Sequence, residues 1–379
     1  MNKDFFSAQK LSIPENSNAT PDVLDEMMFN LRWMFTMQDP ADGGVYHKLT
    51  TPSFEAFVMP KDCHQKRYVV EKSTAATLDF AAVMAMAARI YKGNADYPDF
   101  SARAEAAAER AWQWAVAHPA VYYDQPEMNK HFKPEVTTGA YDDTDTHDEF
   151  FWAATELYLL SGEANYLDAV RQYAPSSFSL PAWGNVAGLG RFEWAINNSK
   201  NPTISGESQK QIIDYCKAKL NADKTSCFQT PDGNDSADFH WASLAESFGT
   251  TGITYLFAYS FTHDSRYLTM AQENADYILG RNATGYCFIT GFGQKSPMHP
   301  HHRISGADGI EAPVPGLLVG GPNAGQQDKP YLGTAQYPSN YPDESYIDSS
   351  NSYASNEIAI NWNASAVGLF SWLAALQDK

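Results

Sequence analysis

The sequence is poor in cysteine, poor in positive charge and without long apolar runs. Four cysteines stand in 379 residues, at 63, 216, 227 and 287, and no CxxC pair occurs. That excludes zinc-knuckle spacing. Cys63-His64 offers two ligand types with no matching pair downstream, which favours a structural reading over a metal site. Cys216 and Cys227 flank a polar, lysine-rich stretch, where a loop disulfide and two free thiols are equally compatible with the sequence. No stretch of 18 apolar residues exists, so nothing spans a membrane as a helix. The first 20 residues hold no apolar segment of signal-peptide type. With 27 basic against 45 acidic residues the formal charge is -18, and Lys and Arg form no stripe. A phosphate backbone would be repelled, which argues against nucleic acid.

What is abundant is aromatic. Aromatics make up 13% of the chain and hydrophobic residues 44%, enough for a sizeable core, so disorder is excluded. The aromatic surplus fits a cleft lined with flat faces, and the charge fits a neutral polymer such as a polysaccharide, or a bound cation.

Helical periodicity dominates. After Thr20-Pro21, read as N-cap and first helical position, Leu24, Met27, Met28, Leu31, Met34 and Phe35 recur at three- and four-residue spacing until Asp39-Pro40. Residues 73–91 start at a Ser/Thr cap and are apolar nearly all round, which predicts a helix buried on several sides. Further helices are expected near 101–117, 147–161, 164–173, 207–221, 240–262, 265–280 and 355–376. Three joints, YKGNADYPDF, LSGEANYLDA and THDSRYLTMA, each link two helices through a short polar turn. Strand signals are confined to 43–51, 68–70 and 286–293, and loops to 174–190, 228–237 and 291–345. Helical hairpins of unequal length, with aromatic-rich loops, predict a closed toroid rather than an open solenoid.

Three segments concentrate chemistry. FGQKSPMHPHHR (292–303) ends in His301, His302 and Arg303; it could bind metal through His299, His301 and His302, or donate hydrogen bonds to neutral hydroxyls. Asp142, Asp143, Asp145, Asp148 and Glu149 crowd into residues 142–149, a costly arrangement unless a cation neutralises it; structural calcium and a solvated acidic turn both remain open. The third is SYIDSSNSYASNEIAINWNAS (345–365), where Glu357 is followed by Ile358, Ala359 and Ile360. Glu357 is either a helix-terminal acid or a general acid in an apolar pocket.

Tyr346-x-Asp348, Tyr353, Glu357-x-Ala359 and Asn363-Ala364 at their spacing closely resemble the C-terminal signature of glycoside hydrolase family 9. Thr290 to Arg303, with Gly293, Lys295, Pro300, His301 and Arg303, is similar to that family's second signature; Cys287 departs from its usual leading residue. GGVYHK (43–48), STAATLDFAAV (73–83) and PGLLVGGPN (315–323) are also similar to family segments, so the resemblance covers nearly the whole chain. It implies an all-α (α/α)6 barrel in one catalytic domain over 1–379 that hydrolyses β-1,4-glucans with inversion. It implies Glu357 as general acid, Asp348 as the carboxylate supporting the active-site loop, and His301 and Arg303 as hydrogen-bond donors to sugar. Trp362, Tyr353, His47 and Trp183 are the further sugar contacts it implies, and Thr144, Asp145, Asp148 and Glu149 the calcium ligands. The parent protein is expected to be secreted or periplasmic. The family's base lies in an N-terminal DAGD-type motif, which these 379 residues lack. An N-terminally shortened barrel without its base is therefore expected, prone to self-association, with a non-catalytic glycan binder as the alternative.

Overall fold

The structure is a computed structural model that describes residues 3–221 and 226–377. Thirteen α-helices and one two-stranded ribbon are found among the described residues. The chain packs as two compact units, residues 1–54 with 65–208, and 55–64 with 209–379.

The first unit begins with α1 (Lys3–Ala8) and α2 (Asp22–Met34), the latter running into a 3-10 turn at Phe35–Met37. Thr20 does not cap α2. Pro21 occupies the cap position, and the Thr20 hydroxyl donates instead to Asp96, at 2.7 Å. The expected ribbon is short: β1 (Leu49–Thr50) pairs antiparallel with β2 (Tyr68–Val69), in register Leu49 to Val69. α3 (Thr74–Ile90) starts at Ser73, whose hydroxyl accepts from the Ala76 amide. As its all-round apolarity predicts, α3 packs against both α4 (Phe100–Ala117) and α6 (His147–Ser161). Ala81, Ala85 and Ala88 on α3 and Ala104, Ala108 and Ala111 on α4 are fully buried, small residues that let helices approach closely. α5 (Gln125–His131) precedes α6, and α6 ends at Gly162, whose positive φ makes a left-handed cap leading into α7 (Ala164–Tyr173).

α8 (Ala187–Ile196) overturns part of the loop expected at 174–190. Its AGLGRFEWAI sequence reads as a loop because two glycines depress helix propensity. Packing supplies the reason for them: a Cβ at Gly190 would lie 2.7 Å from Phe151 Cε1, and one at Gly188 2.5 Å from the Ser179 carbonyl oxygen. The division between the units falls inside α9 (Pro202–Asn221).

In the second unit a π-helical segment (Leu244–Thr250) continues into α10 (Thr251–Thr262), which packs against α11 (Ser265–Ile278). The chain then runs through a long irregular stretch with isolated bridges, Ile289 to Leu318 among them, where an extended piece was expected at 286–293. The helix expected at 355–376 is divided. α12 (Tyr353–Asn356) is one turn, and α13 (Ile360–Gln377) follows after a break at 357–359. No described helix is long and apolar enough to cross a membrane.

Candidate active site

The break between α12 and α13 is where Glu357 sits, in extended conformation with φ -70° and ψ 154°. α12 is too short to hold itself, since one turn gains few helical hydrogen bonds. Buried Asp328 holds it: Oδ2 accepts from the Ser352 hydroxyl (2.7 Å) and the Ala354 amide (2.9 Å), and Oδ1 from the Tyr337 hydroxyl (2.7 Å). Asn323 donates to the Ala354 carbonyl at 2.9 Å. With the turn fixed, residues 356–358 lie between two extended segments. The His301 amide donates to the Asn356 carbonyl (2.7 Å), the Gly320 amide donates to the Glu357 carbonyl (3.1 Å), and Val319 bridges Ile358. The backbone of Glu357 is thus pinned on both sides.

The histidine loop is locked to the same place by Asp348. Its two oxygens accept from the Met298 and His299 amides, both at 2.8 Å. Asn356, fully buried, donates to the His299 carbonyl (2.6 Å) and to Asp348 (3.3 Å), while its own carbonyl accepts from Tyr346 (2.6 Å). His301 lies against the Ser350 carbonyl, with Nδ1 2.5 Å from that oxygen. A carbonyl only accepts, so Nδ1 carries the hydrogen and the neutral ring presents Nε2 as an acceptor, where the family resemblance implies a donor. Burial pushes the His301 pKa below its ordinary value, with the Arg303 charge acting in the same direction and the Ser350 bond and Asp328 opposing. Arg303 donates Nε–H to the Glu55 carbonyl at 2.8 Å.

Glu357 itself is half-buried. Burial raises its pKa; a hydrogen bond from Trp241 and the charge of Arg303 pull it back down. Trp241, Tyr353 and Tyr331 form a run of rings, with centroids 5.3 Å and 6.1 Å apart in sequence, and His301 meets Tyr353 edge-on at 6.4 Å. Trp362 is half-buried in the first turn of α13, where a Cβ on Gly320 would lie 3.4 Å from its Cζ3. Glu357, Asp348, His301, Arg303, Tyr353 and Trp362 all belong to the second unit.

His47 and Trp183 belong to the first unit. His47 is a strut rather than an open sugar contact: Nδ1 is 2.9 Å from the Ser73 hydroxyl, Nε2 3.0 Å from the Ala140 carbonyl, and the ring stacks on Tyr123. Trp183 is 64% exposed, open to a stacking ligand. In the acidic segment Thr144 is exposed and Asp145 is turned onto His147, 2.9 Å from its Nδ1. Asp148 accepts from the Val186 amide at 2.6 Å. Glu149 is buried with Oε2 unpartnered. Burial, then Asp79, then Asp148 push its pKa up to about 10, and burial with Asp148 and Asp143 pushes Asp79 up to about 7. Among the described residues no three His, Cys, Asp or Glu side chains are arranged as a metal-ligand set. All four cysteines are free thiols, Cys216 buried and Cys227 exposed.

Sequence reading passed over Asp328, Asn356 and Trp241. Asp328 lies in a run read wholly as loop, and Asn356 is hidden beside the more conspicuous Glu357. Trp241, in DFHWASL, carried the one available signal, a tryptophan next to a histidine at a helix start.

The profile of glycosyl hydrolase family 9 matches residues 6–370. A xyloglucan-specific endo-beta-1,4-glucanase of Bacteroides ovatus is 52% identical over 378 residues, spanning 98% of this chain and 64% of that enzyme. Endoglucanase D of Acetivibrio thermocellus is 32% identical over 373 residues, 96% of this chain and 55% of its own length. A solved family 9 structure from Bacteroides ovatus superposes with a TM-score of 0.92 at 50% identity, covering 99% of this chain and 66% of that one. The chain thus spans between about half and two thirds of the length of these relatives. Its helix-rich fold is of the all-α (α/α)6 class of family 9 structures. With residues 6–370 matched by the family profile, and Glu357, the histidine loop and Asp348 gathered in one place, the chain belongs to glycosyl hydrolase family 9.

Proposed function

We propose that this chain carries the proton-donating half of a site that hydrolyses β-1,4-glucans with inversion, with Glu357 as the general acid. The observation that carries the reading is the setting of that carboxyl: half-buried, pKa raised by burial, and held by Trp241 beside the histidine loop. A general acid must keep its proton until the bond breaks, and desolvation supplies that. The proton passes from Glu357 to the glycosidic oxygen as the C1–O bond breaks. A water oxygen bonds to C1 from the opposite face and gives its proton to a second carboxylate, roughly 6.5–9.5 Å from the acid in inverting enzymes. His301 Nε2 accepts from a sugar hydroxyl, Arg303 donates to another, and Trp241, Tyr353 and Trp362 offer ring faces to the pyranose.

The water-activating base is not supplied by the two carboxylates that hold the turn and the histidine loop around Glu357. Asp348 and Asp328 each have both oxygens engaged by amides or hydroxyls, so neither is free to take a proton from water. No DAGD-type motif occurs in the sequence. These 379 residues alone should therefore bind β-glucan and hydrolyse it slowly, lacking a contribution on the order of 10²–10⁴-fold. A glycan-binding module is the second reading, favoured by the same missing motif. The Bacteroides ovatus relative makes xyloglucan, beside cellulose-type glucans, the first polymer to test. The experiment joins an N-terminal segment bearing a DAGD-type motif and measures reducing ends released, with and without Glu357→Gln. Activity should appear with the segment and collapse with the substitution. Activity that survives Glu357→Gln removes Glu357 from the mechanism.

Calcium, when bound, is assigned here to Asp148 and Glu149. The buried, unpartnered Glu149 oxygen fits a hard cation, whereas the Asp145 side chain, engaged by His147, does not. Its chemistry is structural: it would neutralise like charges at the start of α6.

A further inference from the structure

Residues 55–64 (EAFVMPKDCH) pack with the second unit although they stand far from it in sequence, and they contact both His301 and Arg303 of the histidine loop. The Glu55 carbonyl accepts from Arg303 Nε. Phe57 meets the His301 ring edge-to-face, centroids 5.4 Å apart and planes at 89°. Phe57 also rests on the backbone at Gly306, where a Cβ would come within 2.3 Å of Phe57 Cδ1. The segment is closed on itself by the Cys63 thiol donating to the Glu55 carboxylate (3.2 Å) and by a turn in which the Asp62 amide donates to the Met59 carbonyl (2.8 Å). We propose that Phe57 is a positioning residue for His301, and that the strap 55–64 sets the direction in which His301 and Arg303 present themselves to a glucan. This rests on the reading of those two residues as sugar contacts.

The Ser350 bond fixes one ring nitrogen of His301 but leaves rotation about that contact. Phe57 and Tyr353 both meet the ring edge-on, and together they restrict that rotation and the direction of Nε2. An edge-to-face aromatic pair is worth enough to shift a binding equilibrium about three- to tenfold. The same ring packs against an imidazole whose pKa burial lowers. The charged and titratable groups facing His301 include Arg303, Asp328 and Tyr353, with Glu357 on the bridged segment and His302 next in the chain, and a change at Phe57 removes none of them.

The test uses the whole chain, with Phe57→Ala, Phe57→Tyr and Gly306→Ala. Proton NMR of the His301 Cε1–H should give a wild-type pKa below the ordinary value of about 6.5. In Phe57→Ala it should rise toward that value, and Phe57→Tyr, which keeps the ring, should restore the wild-type titration. Gly306→Ala, which displaces the ring without removing it, should move the titration as Phe57→Ala does. Retardation in xyloglucan affinity gels should weaken about three- to tenfold in the two disruptive variants. A His301 titration unchanged in both disruptive variants overturns the proposal. If wild type shows no retardation on any β-glucan, the sugar-contact reading fails on that arm, while the titration still decides whether Phe57 positions His301.

Discussion

At the scale of single residues, the histidine loop is held in place by a carboxylate. Asp348 accepts two backbone amides, and an asparagine could satisfy only one of them. Asp348→Asn should therefore cost about 1–3 kcal/mol through an amide left facing a donor. Urea unfolding measures the total, and amide hydrogen exchange localises it: Met298 and His299 should exchange faster. Unchanged exchange at those two amides would mean that the loop is held by other bonds. Asp348 and Glu357 stand out as candidates in the sequence because the family signature fixes their spacing. Asp328, Asn356 and Trp241 were not, because their work depends on which segments meet, and no local pattern encodes a partner 26 residues away such as Ala354 for Asp328. His47 shows the converse. The GGVYHK resemblance singled it out, yet hydrogen bonding to Ser73 and Ala140 makes it a strut.

At the scale of elements, periodicity located most helices to within a few residues, and the exceptions have physical causes. α6 and α7 lie where their capping and turn residues predicted. α8 was missed because its glycines answer to close packing rather than to propensity, and the α12–α13 break was missed because both sides are rich in helix-compatible residues. The same contrast predicts opposite outcomes for one substitution. Gly190→Ala drives a methyl into Phe151 Cε1 and should destabilise by about 1–3 kcal/mol. Gly206, in α9, has nothing within 4 Å of the position a Cβ would take, so Gly206→Ala should stabilise by roughly 0.5–1 kcal/mol. Thermal denaturation of the two variants side by side checks this. Equal shifts of one sign would show that close packing does not decide the matter.

At the scale of the whole molecule, a net charge of -18 makes any cation stabilising to some degree, so a specific site has to be separated from general screening. Screening acts at tens to hundreds of millimolar salt, with a Debye length of about 10 Å at 0.1 M, and it does not distinguish calcium from an equal ionic strength of sodium. A site does. Glu149 is buried with an oxygen unpartnered, and Asp79, Asp143 and Asp148 bear on the same place, so repulsion is concentrated at the start of α6 rather than spread over the surface. A cation bound there in the native state alone stabilises by about 2.7 kcal/mol at a hundredfold excess over its Kd. Exhaustive EDTA treatment at constant ionic strength should therefore lower the melting temperature, and calcium far below screening concentrations should restore it. Glu149→Gln should abolish the response to calcium while leaving the response to sodium chloride intact, because it removes the buried carboxyl that would ionise onto the cation and nothing of the surface field. A melting temperature indifferent to EDTA would assign the segment to shared protons among its carboxyls, and equal effects of calcium and sodium at matched ionic strength would assign it to screening.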